Sequence, residues 1–321
     1  MKGLTDIPGI LVGHSSDYDG LTGCTAILFE GGAVAGGEIR GFATGTTEWD
    51  LLSPYHVTDR INAVCFAGGS AFGIEAASGV RRYLAQKGVG FDTGPGGKVP
   101  LVPGAILYDL TIGNSKAHPS REMGEVAASA ATDKAVAEGA VGAGTGATVG
   151  KLLGMKQAMK SGIGSWTVTL EGSYKGVMVS ALAAVNAVGD VVDPSTGKIV
   201  AGARIAPGSM EFADSAKIMK GGGRSGFSRG NTTLVAVATN AKLDKVQVNR
   251  MAHVAHVGMA RAIRPVNTLS DGDLIIGLSV GNVASPPLDS LGEAAAEAVS
   301  EAILRAVRLA PTMGGIPGLK H

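Results

Sequence analysis

The sequence predicts an α+β fold in which strands and helices form layers around one core. Three observations support this fold class: strand-like and helix-like segments follow each other without strict alternation, apolar residues make up 45% of the 321 residues, and no internal repeat is present. Aromatic residues account for only 4%, so the core must consist mainly of Ala, Val, Leu and Ile. The 50 glycines suggest layers that approach each other closely.

Five segments before residue 220 are typical of strands, because they combine β-branched and aliphatic residues between glycines. They are residues 24–30, 61–67, 106–112, 166–170 and 178–185. Gly31 and Gly32 are predicted to form the turn after the first of these strands. Two helices are predicted over residues 70–86 and 120–138, with Ser70 and Ser120 as their N-caps.

The sequence changes character at residues 221–230, GGGRSGFSRG, which is the most linker-like decapeptide of the chain. A strand with high β-branched content is predicted directly after it, over residues 231–239. A helix over 245–263, capped by Asp244 with Gln247 at the capping-box position, comes next. The remaining predicted elements are a strand over residues 274–280 and a helix over residues 291–309.

Charge and composition exclude several classes of protein. The 28 basic and 27 acidic residues give a net charge of +1, which does not favour nucleic acid as a partner. The N-terminal residues lack the apolar stretch of a secretory signal, and the longest uncharged segment that we find is shorter than the ~20 residues of a membrane-spanning helix. We therefore expect a cytoplasmic protein without membrane contact, in which Cys24 and Cys65 are buried and structural.

Two motifs that would indicate a cofactor or a metal are incomplete. Residues 139–151, GAVGAGTGATVGK, resemble a phosphate-binding loop, but Thr145 replaces a required glycine and Leu152 replaces the Ser/Thr that would hold magnesium. His253 and His256 share a face of a predicted helix but lack the glutamate of a zinc motif, so two surface histidines are the better interpretation. We expect neither a cofactor nor a metal.

The junction between Asn231 and Thr232 offers a more specific chemistry. If the chain were cut before Thr232, that residue would carry a free α-amine, with a reference pKa near 7.7–8.0, beside its own hydroxyl. The amine can accept the hydroxyl proton while the oxygen attacks a carbonyl, so one residue supplies both nucleophile and base. The same hydroxyl can make the cut by attacking the Asn231 carbonyl. An ordinary strand start remains the alternative interpretation of these residues.

Six separated segments share their sequence and order with one protein family. They are VCFAGGSAFGIEAASGV (64–80), VGAGTGATVGK (141–151), KSGIGSW (160–166), AAVNAVGDV (183–191), GNTTLVAVATNAKL (230–243) and SDGDLIIGLS (270–279). From about Asp6 to Leu309, the chain resembles the self-cleaving N-terminal-nucleophile aminopeptidases. This family includes the L-aminopeptidase/D-esterases, the β-peptidyl aminopeptidases and the nylon-oligomer hydrolases.

The resemblance implies a four-layer αββα sandwich and a set of functional residues. Thr232 matches the nucleophile, so a single domain of residues 1–321 would be cut after Asn231 into a large subunit, 1–231, and a small subunit, 232–321. Asn186 matches an amide donor to the oxyanion. Asp271 and Asp273 match an acidic pair that orients the nucleophile and holds an ammonium group. Lys151 matches a lysine of the nylon-oligomer hydrolases that lowers the amine pKa or polarises the nucleophile.

Each of these residues also has a structural interpretation: Asn186 in a turn, Lys151 in solvent, and Asp271-Gly272-Asp273 as a surface turn. A threonine nucleophile and an Asp-x-Asp pair are closer to the nylon-oligomer hydrolases than to the aminopeptidase branch, which leaves endo-hydrolysis open. The resemblance implies a peptide or other linear amide as substrate and further assembly into a homo-oligomer. An acyltransferase of the ornithine acetyltransferase type and a non-enzymatic glycine-rich binding protein are the alternatives.

Overall fold

The structure is a computed structural model that describes residues 2–223 and 230–320. Residues 224–229, the centre of the predicted linker, lie outside the described residues. The strands are β1 (Ile10–Asp17), β2 (Thr22–Ile39), β3 (Gly45–Thr47), β4 (Arg60–Ala67), β5 (Phe91–Asp92), β6 (Lys98–Val99), β7 (Gly104–Ile106), β8 (Thr148–Val149), β9 (Met159–Lys160), β10 (Ile163–Thr169), β11 (Met178–Asn186), β12 (Asp190–Val192), β13 (Ile199–Ala201), β14 (Thr232–Ala241), β15 (Ile263–Arg264) and β16 (Leu274–Val283). The helices are α1 (Glu75–Gln86), α2 (Arg121–Ser129), α3 (Ser215–Lys220), α4 (Lys245–Ala262) and α5 (Leu288–Arg308).

Nine strands form one connected hydrogen-bonded network in the order β10-β11-β14-β16-β2-β4-β7-β3, with β1 paired to β2. The pairs β14–β16 and β4–β7 are parallel, and the other pairs of this network are antiparallel. The long strand β2 joins two halves, because its first part pairs with β1 and its last part, residues 34–39, pairs with β16. The network therefore contributes two packed sheets rather than one flat layer.

The buried apolar residues separate into three main clusters, not the one core that the sequence predicts. One cluster lies between α4/α5 and the face of β11 and β14 that carries Val179 and Val237. The second lies between the two sheets and contains Leu182 from β11 and Ile27 from β2. The third lies between β2/β4 and the helices α1/α2. Successive residues of a strand point to opposite faces, so each sheet supplies two clusters and the four-layer αββα prediction is confirmed.

Glycine allows these layers to approach closely, as the composition suggests. A Cβ added at Gly258 of α4 would overlap the backbone of Ala296 in α5. One added at Gly164 of β10 would overlap the backbone of Ala302, also in α5. Bulkier residues at these contacts would force the elements apart and open cavities in the core.

Several predicted elements are confirmed, but one predicted turn and most of one predicted strand are wrong. The strand predicted over residues 231–239 corresponds to β14, and α4 has the predicted capping box of Asp244 and Gln247. The predicted turn at Gly31-Gly32 is wrong, because β2 continues through it with a register shift against β4. Only the first residue of the strand predicted over 106–112 belongs to a strand, β7. The strand β1 was not predicted.

The two predicted N-caps differ in outcome. Ser120 caps α2 by accepting a hydrogen bond from the Met123 amide, although this helix ends at Ser129 rather than at residue 138. Ser70 is not a cap: it has a φ of 55° and begins a 3₁₀ turn that precedes α1. The left-handed conformation of Ser70 depends on the chain around it and has no local sequence signal.

The cysteines and histidines also test the sequence interpretation. Cys24 and Cys65 are buried and unpaired, as predicted, and burial raises the pKa of Cys24 to about 12. His253 is exposed, but His256 is fully buried, so the prediction of two surface histidines is wrong for His256. No helix among the described residues is long and apolar enough to cross a membrane.

Candidate functional site

Three strands bring the candidate residues to one edge of the sheet. Asn186 is the last residue of β11 and pairs with Thr232, the first residue of β14. Because β16 runs parallel to β14, the residues before it, Asp271 and Asp273, lie beside the start of β14, and Asn231 forms a bridge with Asp271. The antiparallel and parallel pairings of β14 thus place residues from distant parts of the chain around one peptide bond.

The peptide between Asn231 and Thr232 is buried, with Asn231 0% and Thr232 3% exposed. The Thr232 hydroxyl donates a hydrogen bond of 2.5 Å to the Asn231 carbonyl oxygen. The same oxygen accepts a hydrogen bond of 2.7 Å from the backbone N–H of Gly272. The hydroxyl oxygen and the carbonyl of its own peptide bond are therefore held together away from bulk water.

Both carboxylates of the acidic pair are held by hydrogen bonds. Asp273 Oδ1 accepts from the Thr233 amide at 2.6 Å, and Oδ2 accepts from the Asn267 amide at 3.0 Å. Asp271 Oδ2 accepts from the amide and hydroxyl of Thr268 at 2.9 and 2.7 Å. Burial raises the pKa of both carboxyls, and the charge of Asp271 raises that of Asp273 further. The pair can therefore hold a proton at a higher pH than exposed aspartates can.

Lys151 and Asn186 form a second buried group. The Lys151 ammonium donates to both the backbone oxygen and Oδ1 of Asn186, each at 2.8 Å. Burial lowers the pKa of Lys151 to about 7, against the opposing effect of nearby carboxylates, of which Asp271 is the strongest. The Asn186 side-chain amide donates to the backbone oxygens of Tyr108, at 2.9 Å, and Gly230, at 3.4 Å. Its donor side thus faces the segment that leads to Thr232.

The structure brings together all the residues that the sequence singles out. Lys151 is 1% exposed and Asn186 is 0% exposed, while Asp271 and Asp273 are each 1% exposed. The interpretations of Lys151 as a solvated lysine and of residues 271–273 as a surface turn are therefore wrong. Asn186 belongs to a strand rather than to a turn.

Sequence reasoning missed two buried charged residues near this group. Asp109 accepts hydrogen bonds from the Thr22 hydroxyl and the Gly69 amide at 2.8 and 2.7 Å, and burial raises its pKa to about 6. Lys160 is fully buried, and burial lowers its pKa to about 7. Because Lys and Asp are ordinarily exposed, residue type alone does not predict the burial of either residue. The one feature of the sequence that points to Lys160 is its place in KSGIGSW, a segment that matches the family.

Comparisons with known proteins place the chain in a family. A family model described as peptidase family S58 matches residues 2–321. An uncharacterized aminopeptidase of Mycobacterium tuberculosis is 37% identical, covering 99% of this chain and 96% of the relative. A 6-aminohexanoate-oligomer endohydrolase of Kocuria is 28% identical, covering 94% of this chain and 85% of the relative.

A solved structure supports the fold. The L-aminopeptidase D-Ala-esterase/amidase of Ochrobactrum anthropi, described as a variant of the Ntn-hydrolase fold, superposes with a TM-score of 0.73 at 21% identity, covering 98% of this chain and 88% of that one. At this identity the likeness concerns the fold alone. The family match extends over nearly the whole chain, as did the resemblance seen in the sequence. The chain belongs to peptidase family S58 and is a hydrolase of that family.

Proposed function

We propose that this protein is a self-processing amidohydrolase that uses Thr232, exposed as a new N-terminus by cleavage after Asn231, to hydrolyse peptides or other linear amides. The observation that carries the proposal is the 2.5 Å contact between the Thr232 hydroxyl and the Asn231 carbonyl inside a buried polar site. A hydroxyl that merely started a strand would not need a buried lysine, two buried aspartates and a buried asparagine around it.

In the processed enzyme, the Thr232 α-amine takes the proton of its own hydroxyl, and the oxygen attacks the substrate carbonyl. The Asn186 amide donates to the oxyanion, since cleavage releases the Gly230 carbonyl that it contacts in the intact chain. Asp273 accepts from the Thr233 amide and so fixes the strand that carries the nucleophile. Lys151 holds the Asn186 oxygen, which aims the donor side of that amide at the site.

The substrate class follows from the acidic pair and from the relatives. A carboxylate pair next to the nucleophile suits substrates with an ammonium group, as in peptides and aminohexanoate oligomers. The relative from Kocuria is named an endohydrolase of such oligomers, and both it and the aminopeptidase of M. tuberculosis support linear amides. We expect large and small subunits to remain paired and to assemble into a homo-oligomer.

Self-cleavage is tested by mass spectrometry and N-terminal sequencing of the purified protein. We expect two fragments that sum to 32.1 kDa, with the smaller one beginning at Thr232. Thr232→Ala should give one uncleaved chain without activity, whereas Thr232→Ser, which keeps a hydroxyl, should still cleave. A wild-type protein that stays in one piece after long incubation contradicts the proposal.

The reaction is tested on processed protein with a panel of peptide amides, β-peptides and 6-aminohexanoate oligomers. Release of free amine and free acid is expected for at least one of these classes. Oligomers blocked at their amino end distinguish endo-hydrolysis from aminopeptidase action, because only an endo-hydrolase cuts them. Consumption of acetyl-ornithine that requires glutamate, without hydrolysis of any amide in the panel, would replace the hydrolase by an acyltransferase.

A further inference from the structure

We propose that the backbone N–H of Gly272 is the oxyanion donor for cleavage of the Asn231–Thr232 bond. This inference rests on the proposed function, since it concerns the self-cleavage step. The N–H donates to the Asn231 carbonyl oxygen over 2.7 Å in the intact chain, so it already contacts the atom on which negative charge develops. A donor that is in place before the reaction needs no reorganisation when the charge appears.

The direction of this N–H is fixed from both sides. The carbonyl of Asp271, which shares a peptide group with the Gly272 nitrogen, accepts from the Ala43 amide at 2.9 Å. The carbonyl of Asp273 accepts from the Gly41 amide at 3.0 Å. Because a neighbouring chain segment holds the backbone on either side, the Gly272 N–H stays directed at the Asn231 carbonyl oxygen.

Asn186, the donor that the family resemblance implies, contacts other atoms in the intact chain. Its amide nitrogen donates to the carbonyl oxygens of Tyr108 and Gly230, at 2.9 and 3.4 Å. Self-cleavage takes place before the Gly230 carbonyl can leave, so the Asn186 amide stays engaged during that step. The Gly272 N–H therefore fills the role of oxyanion donor in the precursor.

The absence of a side chain at Gly272 fits the same role. A Cβ at this position would lie 2.8 Å from the Thr232 hydroxyl oxygen and 2.8 Å from the Ala43 carbonyl oxygen. Both distances are below those of ordinary van der Waals contacts. Glycine thus lets the nucleophile and the oxyanion donor approach the Asn231 carbonyl together.

The step balances as an N-to-O acyl shift followed by hydrolysis. The Thr232 oxygen bonds to the Asn231 carbonyl carbon and gives up its proton, and the carbonyl oxygen becomes an oxyanion held by the Gly272 N–H. The oxyanion then re-forms the carbonyl as the carbon–nitrogen bond breaks, the nitrogen takes up the proton that the hydroxyl gave up and becomes the α-amine, and an ester remains. Water cleaves the ester to the Asn231 carboxylate and the free Thr232 hydroxyl, so no oxidant or reductant is needed.

Replacement of the Gly272 N–H by an ester oxygen tests the proposal. Glycolic acid is introduced at position 272 by a suppressor tRNA during cell-free synthesis of the full chain, and glycine delivered by the same tRNA is the reference. Formation of the fragment that begins at Thr232 is followed over time, and only in protease-resistant, folded precursor. We expect cleavage to slow by about 10²–10³-fold, as for other lost oxyanion donors.

Gly139 supplies the matched control. It is also buried, and its N–H donates over the same 2.7 Å to a backbone oxygen, that of Ile163, which takes no part in the reaction. Glycolic acid at position 139 should leave cleavage within about tenfold of the reference, the effect of an ordinary hydrogen bond.

Cleavage at the reference rate with the ester at 272, or equal slowing with the ester at 139, overturns the assignment of Gly272. If the reference protein itself does not cleave, the proposed function fails and the assignment fails with it. The two failures are distinguishable because the reference protein carries an intact Gly272. Spontaneous hydrolysis of the ester would cut after residue 271 and gives fragments of different mass.

Discussion

Lys151 and Lys160 are both fully buried, and burial lowers the pKa of each to about 7, yet their surroundings differ. Lys151 donates to the backbone and side-chain oxygens of Asn186, beside the start of β14. Lys160 donates to the main-chain oxygens of three residues, Gly144, Ala147 and Ser161. Asp271, Asp109 and Asp273 all act on the pKa of Lys151, but among the described residues Asp109 is the one carboxylate that acts on that of Lys160.

The difference teaches that a perturbed pKa alone does not identify a functional lysine. The hydrogen-bond partners distinguish the two lysines. Lys151 contacts the side chain of Asn186, whose amide faces the segment that leads to Thr232, whereas Lys160 donates to carbonyls of a glycine-rich loop and holds that loop against β9. We therefore expect loss of Lys151 to slow the reaction and loss of Lys160 to lower the free energy of unfolding. Four predictions test this division, in order of decreasing effect.

Lys151→Met should slow hydrolysis of an amide substrate by the processed enzyme by about 10²–10³-fold, because Asn186, the proposed oxyanion donor of that reaction, loses the cation that orients its amide. The kcat/KM for a substrate of the panel, normalised to the amount of chain that begins at Thr232, measures this loss. The free energy of unfolding should fall by about 1–2 kcal/mol, since two hydrogen bonds to Asn186 are lost, against three for Lys160→Met. Substrate hydrolysis at the wild-type rate would remove Lys151 from the site.

Lys160→Met should have the opposite profile. Three hydrogen bonds to buried carbonyl oxygens are lost, at about 1 kcal/mol each, so we expect the free energy of unfolding to fall by about 3 kcal/mol. Denaturant unfolding in a Thr232→Ala background, which keeps the chain in one piece, measures it. Hydrolysis of the same substrate by folded, processed Lys160→Met should remain within about tenfold of wild type. A large loss of hydrolysis with unchanged stability would reverse the roles of the two lysines.

Local signals in the sequence predicted part of this fold. The capping box of α4, the Ser120 cap and the β-branched strand after the glycine-rich segment depend on neighbouring residues and are confirmed. The continuation of β2 through Gly31-Gly32 was missed, because the pairing with β16 and β4 extends a strand across residues that locally favour a turn. Ser70 was misassigned because it has a left-handed conformation and its N–H donates to the carbonyl of the distant Leu107, neither of which the local sequence indicates.

The candidate site was predicted in a similar way. The chemistry of Thr232 follows from the residue itself, and the resemblance added Asn186, Lys151 and the acidic pair. Gly272 was not singled out because its contribution is a backbone N–H, which no residue type encodes. Lys160 and Asp109 were missed since their burial depends on tertiary contacts that one sequence does not reveal.

The two lysines should contribute alike to the pH dependence of the free energy of unfolding. Between about pH 7 and the ordinary lysine pKa of 10.5, the folded lysine is mostly neutral while the unfolded one is protonated, so unfolding takes up a proton. The free energy of unfolding therefore rises with pH in this window, by up to about 1.4 kcal/mol per pH unit for each lysine. In the Thr232→Ala background, Lys151→Met and Lys160→Met should each lower the slope of the free energy of unfolding against pH by the contribution of one proton. An unchanged slope in either variant would show that its lysine is charged in the folded protein.

The smallest predicted effect concerns Asp109, the carboxylate that acts on both lysines. Asp109→Asn keeps the shape that contacts Thr22 and Gly69 but removes a carboxylate that raises the pKa of both lysines. In the Thr232→Ala background, combination with Lys151→Met isolates Lys160, and combination with Lys160→Met isolates Lys151. The pH at which the stability rise begins should move down by less than about one unit for each lysine, because Asp109 raises the pKa of both. A shift for one lysine alone would show that Asp109 does not act on the other, and an unchanged starting pH for both would show that Asp109 is protonated in the folded protein.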